Sequence, residues 1–262
     1  MYNFELVKPK TLDEALAALQ GDEAQPLSGG QTLIPTMKQR LAMPETLVSL
    51  LGIEDLKGIS IADGVMTIGG ATNHATVARD AAEAFPGLAY LAGKIGDPAV
   101  RNRGTIGGSV ANNDPAACYP SAVLATGATV VTNAREIAAD DFFQGLFTTA
   151  LDEGEIVTGV KFPIPEASNY QKFEQPASRF PLTGVFLAKY ADRVGVAVTG
   201  ASEDGVFRWT EAEEALSANF SPDAIAGLTV SPDGMIGDLH GTPEYRAHLV
   251  KVLTGRAVKA AA

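Results

Sequence analysis

The chain has 262 residues, 46% hydrophobic and 19% charged, enough apolar material for one large domain or two ordinary ones, so disorder is not the starting assumption. Its formal charge of -11 argues against a nucleic-acid partner, because phosphate binding relies on clustered Lys and Arg. The single cysteine, Cys118, excludes an internal disulfide, an iron–sulfur cluster and a structural zinc site, and His74, His240 and His248 lack metal-ligand spacing, so any metal chemistry is expected on another chain.

The stretch MYNFELVKPKTLDEAL has no basic lead followed by an apolar core, and no apolar run approaches bilayer length, so the chain reads as cytoplasmic and without a transmembrane segment. FELVKP (4–9) reads as a short strand. TLDE (11–14) fits a capping box, with Thr11 as N-cap and Glu14 at the third position of the helix TLDEALAALQ. QPLSGGQTLIP (25–35) is a brief apolar piece, a glycine pair, and then a turn or short helix limited by Pro35. ISIADGVMTIGG (59–70) alternates around Asp63-Gly64, a hairpin signal. Residues 73–80 and 86–94 read as helices, TIGGSVAN (105–112) begins extended, and 128–133 and 155–162 read as strands.

PIPEASN (163–169) has the prolines and small polar residues of a linker and is taken as a domain boundary. Beyond it GVFLAKYA (184–191) and VGVAVTGA (194–201) form an antiparallel pair across Arg193. Helical segments follow around 211–218, 221–227 and 242–257, and the alanine-rich tail is expected to fray.

The chemistry is expected in two glycine-pair segments, SGGQT (28–32) and TIGGS (105–109). Glycine removes the Cβ, permits positive φ and lets successive N–H groups face one point, forming an anion-binding nest. Two nests brought together by folding suit a pyrophosphate, with hydroxyls of Ser28, Thr32, Thr105 and Ser109 at the edges. Taken singly, each pair is better explained by a tight turn or bulge where backbones approach; only the two together bring a phosphate site level with it. Neither segment has the G-x-G-x-x-G or P-loop pattern.

SGGQTLIP together with RNRGTIGGSVANNDPAACYPSAVLA resembles the two flavin-contacting segments of the FAD-binding medium subunit of molybdenum hydroxylases, the group containing carbon monoxide dehydrogenase and xanthine dehydrogenase. The resemblance covers essentially the whole chain. It implies an α+β fold: a two-part FAD-binding domain of the vanillyl-alcohol oxidase type, with subdomains at 1–57 and 58–165, then a small C-terminal domain of antiparallel sheet plus helices at 166–262. It implies that Ser28, Gly29, Gly30, Gln31 and Thr32 wrap the FAD pyrophosphate from one side and Thr105, Ile106, Gly107, Gly108 and Ser109 from the other. Asn112 and Asp114 would orient polar atoms of the cofactor, and Leu27, Leu33 and Ile106 would supply apolar contact.

Two places depart from the family pattern. Cys118 stands where relatives often carry an acid and reads as a small buried apolar residue. Leu182 stands where an R-x-x-D pattern has its acid, so no contact is carried onto Arg179 or Leu182. His74 reads as a helix-start histidine satisfied by local backbone in preference to a residue near the flavin, Tyr190 as packing or a ring over the flavin, and Trp209 as packing. Arg101 and Arg103 suit an anion or a loop contact.

The resemblance further implies a large molybdenum-binding partner that oxidises the substrate. A small partner with two iron–sulfur clusters would pass the electrons to FAD on this chain, in a heterotrimer or its dimer. No catalytic residue is assigned. Two other readings stand beside it: a free-standing FAD-dependent oxidoreductase resembling the enolpyruvyl reductases, and a non-enzymatic assembly module whose glycine loops are only turns.

Overall fold

The structure, a computed structural model, describes residues 1–261. It opens with β1 (Glu5–Val7), α1 (Leu12–Ala18), β2 (Ala24–Leu27), α2 (Leu33–Lys38) and β3 (Thr46–Ser49), the three strands forming a parallel sheet ordered β1-β3-β2. Thr11 Oγ1 accepts the Glu14 N–H at 3.2 Å, while the Glu14 carboxylate reaches back to the Lys10 N–H at 2.7 Å, so the capping box closes one residue before the N-cap. Pro35 does not limit α2. It lies in the first turn, where its missing N–H would have had no intrahelical acceptor, and the helix continues to Lys38.

A second sheet, ordered β4-β5-β10-β6-β7 and antiparallel throughout, is built from β4 (Ile59–Ala62), β5 (Val65–Gly69), β6 (Thr129–Thr132), β7 (Glu136–Ala138) and β10 (Val157–Pro163). Asp63 and Gly64 both have positive φ, 51° and 74°, as the tight hairpin between β4 and β5 requires. Between β5 and β6 run α3 (His74–Asp80), α4 (Pro86–Gly93), α5 (Pro98–Arg101), α6 (Ile106–Asn112) and α7 (Tyr119–Thr126). Between β7 and β10 lie α8 (Ala139–Phe142) and a small hairpin of β8 (Phe143–Gly145) and β9 (Thr148–Thr149). Met66 and Ile68 on β5, and Val160 and Phe162 on β10, alternate into the core beneath these helices, and every residue of α7 is buried.

TIGGSVAN begins extended, but for one residue. Only Thr105 is extended, bridged to Asn73, and Ile106 begins α6. The β-branched pair suggests a strand, but the Thr105 side chain accepts the Gly108 N–H and caps a helix instead. Of PIPEASN only residues 164–166 lie between elements, since Pro163 ends β10 and Ala167 begins the next strand, which belongs to another sheet.

The third sheet is β11 (Ala167–Glu174), β12 (Pro181–Lys189), β13 (Val194–Ser202) and β14 (Gly205–Arg208), antiparallel in that order, with α9 (Thr210–Ala218) and α10 (Pro243–Ala261). Its central strands are buried on both faces: Phe186, Ala188 and Ala197 join the core shared with α7, whereas Val185, Leu187, Val196 and Val198 join a core under α9 and α10. At Gly195 a Cβ would stand 1.8 Å from the Ala125 carbonyl, so β13 meets α7 backbone to backbone. The segment expected to be helical at 221–227 is a single 3-10 turn, Pro222–Ile225. Among the described residues the tail is helical: α10 runs to Ala261, with Ala257 and Val258 buried, while Ala262 lies outside the described residues. Among the described residues no helix is long and apolar enough to cross a membrane.

Candidate functional site

The two glycine segments meet. Ser28, following β2, places its Oγ 2.7 Å from Thr105 Oγ1, the cap of α6. The second segment is fixed by the chain just after β5: His74 N–H donates to Gly104 O at 3.0 Å, Ile106 N–H to Thr72 O at 3.1 Å and Gly107 N–H to Gly70 O at 2.9 Å.

Those bonds change the meaning of the glycines. The N–H groups of Ile106, Gly107, Gly108 and Ser109 are all engaged within the protein, so the second segment is not a nest. In the first segment the N–H groups of residues 29–33 donate to no protein acceptor, and Gly30 has φ 70°. The expectation of two nests therefore becomes one nest, at 29–33, facing a helix start that contributes hydroxyls and shape. Gly29 and Gly107 serve the protein's own packing: a Cβ would stand 2.2 Å from Arg103 O and 2.6 Å from Gly70 O, respectively. A Cβ on Gly108 would instead meet side chains, Thr105 Oγ1 at 3.0 Å and Ser28 Cβ at 3.6 Å.

A cleft of about 600 Å³ lies along this junction. Ser28, Gly29, Gly30, Gln31 and Thr32 line it from the first segment, with Leu27 and Leu33 at either end. Thr105, Gly107, Gly108 and Ser109 line it from the second, continued by Asn112 and Asp114. Ile106 does not: its side chain is fully buried in the core beneath α6, where it offers the cleft no apolar contact. One Asp114 oxygen is committed to the Ala116 N–H at 2.8 Å, which tethers the carboxylate to its own turn.

Other lining residues were assigned no contact from the sequence. Lys172 on β11, anchored to Lys94 O at 2.8 Å, and Ser178, Arg179, Phe180 and Pro181 from the β11–β12 turn reach the cleft from the third sheet. That sheet also holds the second segment's exit: Thr199 Oγ1 donates toward Pro115 O at 2.9 Å and Ala117 O at 2.7 Å, and Gly200 N–H donates to Pro115 O at 2.7 Å. Glu155 lines the cleft too. Burial raises its carboxyl pKa, but hydrogen bonds from Arg135, Thr132 and the Asp152 N–H, with the charge of Arg135, outweigh this and hold it at about 2.

Cys118 lines the cleft and is buried, which pushes its thiol up, as suits a small apolar residue. Leu182 is buried in the third core. His74 also lines the cleft, but local backbone does not satisfy its ring, because Nδ1 is buried without a partner. Arg101 braces the turn after α4, donating to Ile95 O at 3.1 Å and Gly96 O at 2.8 Å. Tyr190 is not among the lining residues: it stacks with Arg193 at 4.1 Å and donates to Pro163 O at 2.8 Å. Trp209 packs in the third core.

Residues 2–165 match the family model described as the FAD binding domain in molybdopterin dehydrogenase. The chain is 32% identical over 274 residues to the glyceraldehyde dehydrogenase medium chain of Sulfolobus acidocaldarius, covering 98% of this chain and 97% of that one. It is 32% identical over 285 residues to the carbon monoxide dehydrogenase medium chain of Afipia carboxidovorans, covering 99% and 96%. Among solved structures, a chain of quinoline 2-oxidoreductase from Pseudomonas putida 86 superposes with a TM-score of 0.87 at 27% identity, covering 99% of this chain and 97% of that one.

Proposed function

Because the chain belongs to the family of FAD-binding domains of molybdopterin dehydrogenases, as a medium subunit of the carbon monoxide dehydrogenase type, we propose that it relays electrons from a partner's iron–sulfur clusters to an external acceptor. Its cofactor is FAD, and the residues present fit that group. The run of unspent N–H groups at 29–33, with glycine at positive φ, suits a diphosphate, and the cleft continues from it past α6 to Lys172 and the β11–β12 turn.

In this reading Ser28, Gly29, Gly30, Gln31 and Thr32 hold the diphosphate through backbone N–H groups, with Leu27 and Leu33 packing beside it. Thr105 and Ser109 add hydroxyls across the junction. Gly107 and Gly108 keep the helix start close, and Ile106 supports it from the core. Asn112 and the free oxygen of Asp114 orient hydroxyl or ring N–H groups. Bound FAD supplies one- and two-electron exchange, while the chain binds it, orients it and excludes water. No acid or base on this chain is required.

The partners in this proposal are a large molybdenum-binding chain and a small chain with two iron–sulfur clusters, joined in a heterotrimer or its dimer in the cytoplasm. Three sheets support a division at 1–57, 58–165 and 166–262, although the cores interlock across those limits.

The observation that carries the proposal is the 2.7 Å contact that sets the 29–33 nest against α6. The test is the absorption spectrum of the purified chain, alone and with co-purified partners, after adding FAD and removing the excess. Retained FAD that is reduced only when the partners and their substrate are present supports the relay. Turnover by the chain alone with a reduced nicotinamide would favour a free-standing reductase, and no flavin in either preparation would leave an assembly module.

A further inference from the structure

His74 is the least explained residue of the cleft. It begins α3 beside the second glycine segment, is only 4% exposed, and its Nδ1 has no hydrogen-bond partner. The Tyr119 ring lies 5.3 Å away, centroid to centroid, and its buried hydroxyl also lacks a partner. Native folds seldom leave two neighbouring polar groups buried and unbonded, and when they do a ligand or ordered water commonly completes them.

The surroundings are shaped to this ring. A Cβ on Gly104 would lie 2.5 Å from His74 Nε2, so glycine at that position admits the imidazole at the cleft wall. Burial, and then the charge of Arg101, lower its pKa to about 4, so the ring is neutral and carries one donor and one acceptor. A neutral donor facing a phosphorylated, hydroxyl-bearing ligand gains a bond without placing a second charge in the cleft.

We propose that His74, with Tyr119 behind it, is a binding residue of the FAD site, its imidazole bonding the cofactor through Nε2, the ring nitrogen beside Gly104 on the cleft wall. This rests on the FAD reading above. It accounts for a polar ring on the cleft wall, where an apolar one would fill the same space more stably in the empty protein.

The test compares the full chain with its His74→Leu and His74→Gln variants in two measurements: FAD titration by quenching of flavin fluorescence, and thermal melting of the FAD-free protein. In His74→Leu, Kd for FAD rises about tenfold while the FAD-free melting temperature is unchanged or higher, and His74→Gln recovers part of the affinity. A fall in FAD-free melting temperature with Kd unchanged overturns the proposal and makes His74 a packing residue. Should His74→Leu fail to fold, the ring nitrogen shifts of His74 in the 15N-labelled wild-type chain decide: they move on adding FAD if it bonds the ring, and unchanged shifts overturn the proposal. A wild-type chain that binds no FAD defeats the FAD reading itself, which differs from wild-type binding matched by the variants.

Discussion

Ser28 and Thr105, separated by 77 positions in the chain, share a hydrogen bond of 2.7 Å, and the proposed FAD site is organised around it. Thr105 also caps α6 by accepting the Gly108 N–H at 3.3 Å. Thr105→Val keeps the shape and removes both bonds, so it is expected to cost about 1–2 kcal/mol of stability. It should also weaken FAD binding severalfold. Ser28→Ala, which removes only the contact between segments, should weaken binding with a smaller loss of stability. Urea unfolding and FAD titration of both variants check this.

Gly29, Gly107 and Gly108 divide by what their missing side chains make room for. Gly29→Ala and Gly107→Ala press a methyl into backbone carbonyls that cannot move independently, and each is expected to cost about 1–3 kcal/mol or to prevent folding. Gly108→Ala sits inside a helix, where alanine gains about 0.5–1 kcal/mol, and its methyl meets only the Thr105 and Ser28 side chains. Its melting temperature should hold while FAD affinity falls. Equal losses of stability at all three sites would contradict this division.

His74 has a distinct acid signature. An unperturbed histidine titrates at 6.5, but the folded chain holds His74 at about 4. Between these values the unfolded chain binds a proton that the folded one refuses, so stability falls on acidification by up to about 1.4 kcal/mol per pH unit. Urea unfolding of the FAD-free chain at pH 7, 6 and 5 should show that slope, reduced in His74→Leu.

Glu155 acts in a lower window and with the opposite kind of shift for its charge type. Its folded pKa, about 2 against an ordinary 4.5, contributes stability that is complete above 4.5 and is lost as the pH falls toward 2. Glu155→Gln should lower stability at neutral pH and flatten the profile below pH 4.5. An unchanged acid limb would mean that the Arg135 pair contributes nothing there.

Much of this was legible in the residues themselves. Asp63-Gly64, the Thr11 cap and the strand pair around Arg193 are local signals, and the chain folds there as read. TIGGSVAN misled because strand propensity at Thr105 and Ile106 competes with a threonine cap, and only the carbonyls of Gly70 and Thr72, brought in by folding, favour the helix start. The bland reading of His74 failed similarly, since nothing near it in sequence shows that its ring lacks a partner. Lys172 and Arg179 reach the cleft only because β13 docks on α7, a contact that leaves no local pattern.

The anchoring of Pro115 and Ala117 by Thr199 and Gly200 bears on how the molecule divides. Sequence similarity to the family model stops at residue 165, which invites expression of that portion as a minimal flavodomain. Such a fragment would retain both glycine segments yet lose the strand that pins the exit of one of them and the turn that closes the cleft's far side. It is expected to hold FAD more weakly than the whole chain, because similarity ends between the second and third sheets while the residues that brace the site run on to β13, three strands later.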